Sequence, residues 1–129
     1  PLGKVDLPIG RNPRNRYRMA VISSGKSAVT EYSVLWSRDG FSLVRCRLVT
    51  GRTHQIRVHM KHISCPLVGD HLYAPRRKTP QGLDRLFLHS WILGFDHPRS
   101  RKPLLFRSFL HQELKSFLGE ALTRDREIP

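Results

Sequence analysis

The densest run of residues able to do chemistry lies between Thr50 and His62: Thr-Gly-Arg-Thr-His-Gln-Ile-Arg-Val-His-Met-Lys-His. It offers anion-binding and proton-carrying groups but no evident nucleophile. Arg52 and Arg57 stand five positions apart, about 140° around a helix. They can share a direction only if Arg52 lies in a turn before the helix, which Gly51 permits. Arg57 adjoins the core candidate Ile56, so its guanidinium is expected to be half-buried and to require a carboxylate or phosphate partner. The alternative, two solvated cations at a helix end, is common in so basic a composition and stays open.

The histidines suggest a second chemistry that the spacing does not support. His54, His59, His62 and Cys65 follow H-x4-H-x2-H-x2-C, with His71 beyond, which matches no standard zinc finger. No metal site is therefore expected. No Gly-rich phosphate loop, G-x-S-x-G elbow or helix-phased pair of carboxylates occurs. Asp39, Asp70, Asp84 and Asp96 all fall in turn contexts, where Asp is ordinary.

The charge balance points to the partner. Of 129 residues, 23 are Lys or Arg and 10 are Asp or Glu, a formal net charge of +13. Arg outnumbers Lys 17 to 6. Arg forks phosphates and stacks on bases, so a polyanion, RNA first, is the expected partner. The exposed candidates are Arg11, Arg14, Arg16 and Arg18 near the start, Arg52, and the run Arg76, Arg77 and Lys78. A basic ribosomal or structural protein without chemistry fits the same balance. No apolar run approaches a membrane span and no charged-then-apolar leader opens the chain, so neither a membrane nor a secreted protein is expected. Cys46 and Cys65 sit in apolar contexts and read as buried free thiols of a reducing, intracellular compartment.

These groups must be positioned by elements whose periods are legible. Residues 1–18 read as a basic extended arm, lying along the fold or along a phosphate backbone. Met19–Ile22 is a short strand. Thr30–Trp36 and Phe41–Val49 alternate around Ser37-Arg38-Asp39-Gly40, giving a hairpin with Tyr32, Val34, Trp36, Val44, Cys46 and Leu48 on apolar positions and Arg45 and Arg47 opposite. Gly51–Ile63 shifts to a helical period through Ile56, Met60 and Ile63, with Thr53 as N-cap and Pro66 as terminator. Leu67-Val68 is extended, Gly69-Asp70 turns, and residues 74–84 form a loop. Leu86–Phe95 reads as a long strand buried on both faces, with Leu104–Phe106 its partner. Leu110, Leu114, Phe117, Leu118, Ala121 and Leu122 mark a terminal helix packed on the sheet, before a charged tail at 123–129. Sheet and helices thus occupy 19–122, an α+β fold with a mostly antiparallel mixed sheet and two helices.

Thr50–Met60, TGRTHQIRVHM, followed by HISCPLVGDHLYA, resembles the most recognisable segment of the RluA-type pseudouridine synthases. VDLPIGRNPRNRYRMAV at 5–21, GKSAVTEYSVL at 25–35 and RLFLHSWILGFDHPRSRKPLLFRS at 85–108 resemble further family segments. The resemblance implies the C-terminal half of the pseudouridine synthase fold and action on ribosomal or transfer RNA without a cofactor. A uridine is flipped out, its glycosidic bond broken, and the base rotated and rejoined through C5. It further implies that Arg57 pairs with and orients the catalytic carboxylate, that Leu88 lines the uracil pocket with His89 beside it, and that Arg52 faces phosphate.

The family's nucleophilic Asp, in an RLDxxTSG-like motif, and its base-stacking Tyr, in a KxYxAxVxG-like motif, have no counterpart in these residues. Tyr32, Asp6 and Asp70 match other family positions. Three expectations follow: a missing N-terminal half carries the Asp, a second polypeptide supplies it, or the half is lost and an RNA-binding component, such as one of a mitochondrial or other ribosome, remains. Each needs a neighbour to cover an open apolar sheet edge. The Arg bias suits an organelle; the cytoplasm is the other compartment.

Overall fold

The computed structural model describes residues 2–80 and 82–119. Its α+β fold distributes seven strands over three small antiparallel sheets, with two short helices. The region read as a bare arm contains two strands, β1 (Leu2–Asp6) and β2 (Ile9–Arg11). β1 pairs antiparallel with β4 (Val29–Arg38), and β4 with β5 (Phe41–Leu48). β2 pairs with β3 (Met19–Val21). The arm thus lies along the fold: Val5 and Ile9 are buried, apolar residues in a stretch whose Pro, Gly and Arg leave no clear period to mark them.

The β4–β5 hairpin turns at Asp39 (φ 52°) and Gly40 (φ 78°), two left-handed residues whose twist matches the flanking strands. Tyr32 stands opposite Cys46 and Val34 opposite Val44; the register shifts between Val34 and Trp36, and Trp36 shares the apolar side with Tyr32 and Val34. Across the outer face, the Arg47 Nε donates to Glu31 over 2.7 Å. Leu48 is exposed despite its apolar phase.

Helix α1 spans Gln55–His62, shorter than the expected 51–63. Thr53 does not cap it. His54 takes the N-cap position in a left-handed conformation (φ 54°) without a side-chain cap. Instead Gln55 ties the preceding turn to the sheet. Its Oε1 accepts from the Thr50 hydroxyl (2.8 Å) and the Arg52 amide (2.9 Å), and its Nε2 donates to Val29 O and Thr30 Oγ1 (both 3.0 Å).

His59, fully buried, continues this network. The Leu7 carbonyl, 2.9 Å away, can only accept, which assigns the proton to Nε2. Nδ1 is then the acceptor for the Thr30 hydroxyl at 2.8 Å. One directed chain joins α1, β4 and the 7–8 connection, and it occupies both ring nitrogens of the histidine most central to the H-x4-H-x2-H pattern. Thr30→Val strands Nδ1 of His59 and removes an acceptor from Gln55. The expected loss is about 2 kcal/mol in denaturant unfolding, with Thr30→Ser close to wild type.

Two apolar clusters organise the interior. Ile9, Ala28, Val58 and Tyr73 form one, with Met19, Val21 and Leu72 against it. Leu83, Leu110 and Leu114 form the other, with Val68, Phe87, Phe117 and Leu118. The terminal helix α2 (Gln112–Leu118) therefore packs on the 67–88 segment and not on a sheet, because its leucines meet loop residues there. Ala121, Leu122 and the tail at 123–129 lie outside the described residues.

The long buried strand expected at 86–95 is not formed. Only β6 (Ile92–Asp96) is strand; it pairs with β7 (Pro103–Arg107), and Leu93, Phe95, Leu105 and Phe106 are exposed. Its apolar residues on both sides lack, among the described residues, the neighbouring elements that would bury them. The free cysteines also divide: Cys46 is half-buried, but Cys65 is exposed, since it follows the end of α1 and does not pack into it. No helix is long and apolar enough to cross a membrane among the described residues.

Candidate functional site

Arg57 extends from the first turn of α1 and meets Asp70. Its Nη2 donates to Oδ1 at 2.7 Å and its Nε to Oδ2 at 2.9 Å, a two-pronged pair whose carboxylate side chain is 1% exposed and whose guanidinium side chain is 18% exposed. The half-buried arginine requiring an anion is present, and the anion within this chain is Asp70. Asp70 also accepts the Tyr73 amide at 3.1 Å, so it retains the turn role expected of it while serving as counter-ion.

Burial alone would raise the Asp70 carboxyl. The Arg57 hydrogen bonds, the Tyr73 and Leu72 amides and the Arg57 charge outweigh that, and hold it below the usual carboxylate range. The same hydrogen bonds raise Arg57 against the cost of desolvation. A carboxylate and a guanidinium both stay charged and fixed in direction.

Tyr73 completes the mounting. The Arg57 guanidinium carbon lies 5.0 Å from its ring centroid. The Tyr73 hydroxyl accepts from the Met19 amide at 2.9 Å and shares a 2.7 Å hydrogen bond with Nδ1 of His54. Desolvation, the Arg57 charge and the Arg11 charge push His54 below its ordinary value, with Asp70 opposing, so the imidazole is neutral near pH 7. One arginine is thus held by a carboxylate, by an aromatic face and, through that ring, by β3 and the turn before α1. Among the described residues, Nη1 of Arg57 makes no hydrogen bond, which leaves one donor edge for an outside acceptor.

The turn that delivers Asp70 depends on Gly69. Its φ is +77°, and a Cβ there would run into the Arg85 carbonyl oxygen. Asp70 and Tyr73 were both missed as functional residues by sequence reasoning. The available signal was Gly-Asp-x-x-Tyr, a left-handed glycine followed by residues one turn apart; nothing in it announces that the carboxylate faces Arg57, thirteen positions earlier.

The remaining candidates divide by location. A cleft of about 810 Å³ opens between the apolar hairpin face and the 63–88 segment. Tyr32, Val34, Trp36, Val44 and Cys46 line one wall, and Ile56, Met60, Asp70, Arg77, Lys78 and Leu88 lie among the others. Leu88 therefore shares a cavity with Asp70. His89 stands apart from it, bonded through Nε2 to the Ser108 carbonyl at 2.7 Å and edge-on to His111. Arg52 lies in the turn before α1, where its Nε donates to Ser27 O at 2.8 Å. Arg11, Arg14 and Arg16 are exposed around the β2–β3 connection and Arg18 is half-buried; Arg76, Arg77 and Lys78 are exposed on the far loop.

The RNA pseudouridylate synthase family model matches residues 2–62. The chain is 46% identical over 122 residues to an uncharacterized RNA pseudouridine synthase of Chloroflexus aurantiacus, covering 95% of this chain and 38% of that protein. It is 44% identical over 122 residues to the ribosomal large subunit pseudouridine synthase D of Nitrosomonas europaea, covering 90% and 36%. The solved structure of human RNA pseudouridylate synthase domain containing 1 aligns with a TM-score of 0.69 at 28% identity, covering 89% of this chain and 51% of that one. The chain thus spans less than two fifths of these curated relatives and about half of the solved structure.

Proposed function

Because this chain belongs to the RluA-type family of RNA pseudouridine synthases, we propose that it forms the Arg57-bearing part of an enzyme that isomerises uridine in RNA to pseudouridine. In that reaction the N1–C1′ glycosidic bond breaks, C5 bonds to C1′, and C5 gives up its proton while N1 gains one. The nucleophilic Asp and the base-stacking Tyr come from residues outside these 129, in the same polypeptide or a second one. Arg57 orients that Asp through the donor edge Asp70 leaves open, and Leu88 lines the space for the uracil. The cationic residues Arg11, Arg14, Arg16, Arg18, Arg52, Arg76, Arg77 and Lys78 meet phosphates, and no cofactor takes part.

The observation that carries this reading is the mounting of Arg57: a guanidinium held from two sides, with its remaining edge unspent. Such fixation aligns a partner group without reorganisation during the reaction. The same observation favours a second reading, an RNA-binding component without turnover, such as one of a ribosome, because Asp70 already neutralises Arg57 and no outside carboxylate is needed for its burial.

Release of tritium from RNA containing [5-³H]uridine separates the two. The polypeptide carrying this chain, together with any partner that co-purifies, is expected to release tritium and leave pseudouridine in the RNA. RNA binding without release establishes the second reading; absence of both removes the RNA assignment.

A further inference from the structure

The β2–β3 connection, residues 12–18, is built more firmly than an exposed basic loop requires. Asn12 Oδ1 accepts the amides of Arg14 (2.9 Å) and Asn15 (3.2 Å), and Asn15 Oδ1 accepts that of Tyr17 (3.1 Å). Its ends are tied by Asn12 N to Arg18 O at 2.9 Å, and Arg11 Nη1 reaches Arg16 O at 3.2 Å. What this scaffold presents is Tyr17, a residue 87% exposed, between Arg16 and Arg18 in sequence, with Arg14 in the same loop. An aromatic ring of that exposure gains nothing from the fold.

Charge narrows the partner. No Asp or Glu occurs between Asp6 and Glu31, so the charged residues of the loop and of its flanking strands β2 and β3 are all cations. Nε of Arg18 is shielded from solvent and unpaired, singular in this among the side-chain atoms of the described residues. Arg14 and Arg16, by contrast, are exposed, where an arriving anion can reach them. A flat π-face flanked by guanidinium groups matches an unpaired nucleotide, base on the ring and phosphates on the forks.

The position matters as much as the composition. Met19, immediately after the loop, is hydrogen-bonded to the Tyr73 hydroxyl, whose ring carries Arg57. The end of this loop is therefore tied to the residue that supports Arg57. Resting on the RNA reading above, we propose that residues 12–18 are an RNA-docking hook in which Tyr17 stacks on an unpaired base while Arg14 and Arg16 take the flanking phosphates.

The test is titration of a fluorescein-labelled RNA stem-loop with an unpaired, uridine-containing loop, across a series of salt concentrations. Tyr17→Ala is expected to weaken binding about 5- to 150-fold with the salt slope unchanged, and Tyr17→Phe to stay within about twofold. Arg14→Gln with Arg16→Gln is expected to flatten the log–log salt slope by roughly 1.4, at about 0.7 per single-strand phosphate contact. All these side chains are at the surface, so the variants should match wild type in thermal unfolding. Wild-type affinity in Tyr17→Ala overturns the hook alone. Failure of the wild-type protein to bind the RNA overturns the RNA reading on which the hook rests.

Discussion

Replacing Asp70 with alanine is expected to cost about 3 kcal/mol in denaturant unfolding, because it leaves the largely buried Arg57 guanidinium without its carboxylate. The figure sits at the low end for a broken buried pair, since Arg57 keeps some contact with water. Arg57→Ala should cost a similar amount, and it should also remove turnover from any active assembly, because the guanidinium is the group proposed to orient the nucleophile. A double replacement, Arg57→Met with Asp70→Leu, should recover much of the stability while restoring no activity. If the double variant is as unstable as either single one, the pair is not the source of the loss.

The pH dependence gives an independent check with a definite sign. In the native fold the Asp70 carboxyl titrates below its unfolded value. Its contribution is therefore fully present above the unfolded value of about 3.9, and it is lost as pH falls through the lower folded value. In Arg57→Ala the guanidinium's hydrogen bonds and charge are gone; the Tyr73 and Leu72 amides alone then oppose burial, the largest single influence on this carboxyl, so it is expected to titrate above its unfolded value. Between the unfolded value and the new, higher folded value, the native state then binds more protons. Stability should consequently fall as pH rises through that window, the reverse of wild type. Unfolding midpoints measured from pH 3 to pH 7 would show the reversal, and parallel curves for the two proteins would count against it.

The second large effect is expected at Gly69. Gly69→Ala combines a positive φ with a Cβ driven against the Arg85 carbonyl, and a loss of about 3 kcal/mol or more is expected. Gly40→Ala is the matched control: φ is equally left-handed at +78°, but nothing lies within 4 Å of the added carbon. It should cost about 1 kcal/mol, the conformational term alone. The difference between the two isolates the steric clash. Since Gly69 delivers Asp70 to Arg57, Gly69→Ala should also weaken that pair, and a Gly69→Ala/Asp70→Ala double variant should lose less than the sum of the two single losses.

The sequence was most legible where one local signal was enough. Alternation across Tyr32, Val34 and Trp36 and the Asp39-Gly40 turn specify the hairpin without outside help, and its apolar face lines the cleft. The isoleucine, methionine and arginine positions of α1 specify a helix and a half-buried Arg57. Elsewhere the local signal was ambiguous or absent. Residues 2–11 carry Gly, Pro and single apolar residues in no clear period, yet Val5 and Ile9 are buried because β1 finds an edge of β4 to pair with and β2 pairs with β3. Leu86–Phe95 carries a strong apolar run, yet only its second half is strand, and that half is exposed on its apolar side. Apolarity there states what the segment would bury against, not what lies beside it among the described residues.

The candidate site divides along the same line. That Arg57 requires an anion follows from one residue and its neighbours, since a guanidinium next to a core position cannot be desolvated alone. Which anion it meets within the chain, that Tyr73 supports it from the side, and that His59 is consumed by Thr30 and Leu7 are decided only by tertiary structure. Composition and period describe each segment against an average surrounding. An ion pair or a buried hydrogen bond depends on the direction of two particular side chains, and between positions 57 and 70 that direction is set by a helix, a left-handed glycine and the carbonyl packed against it.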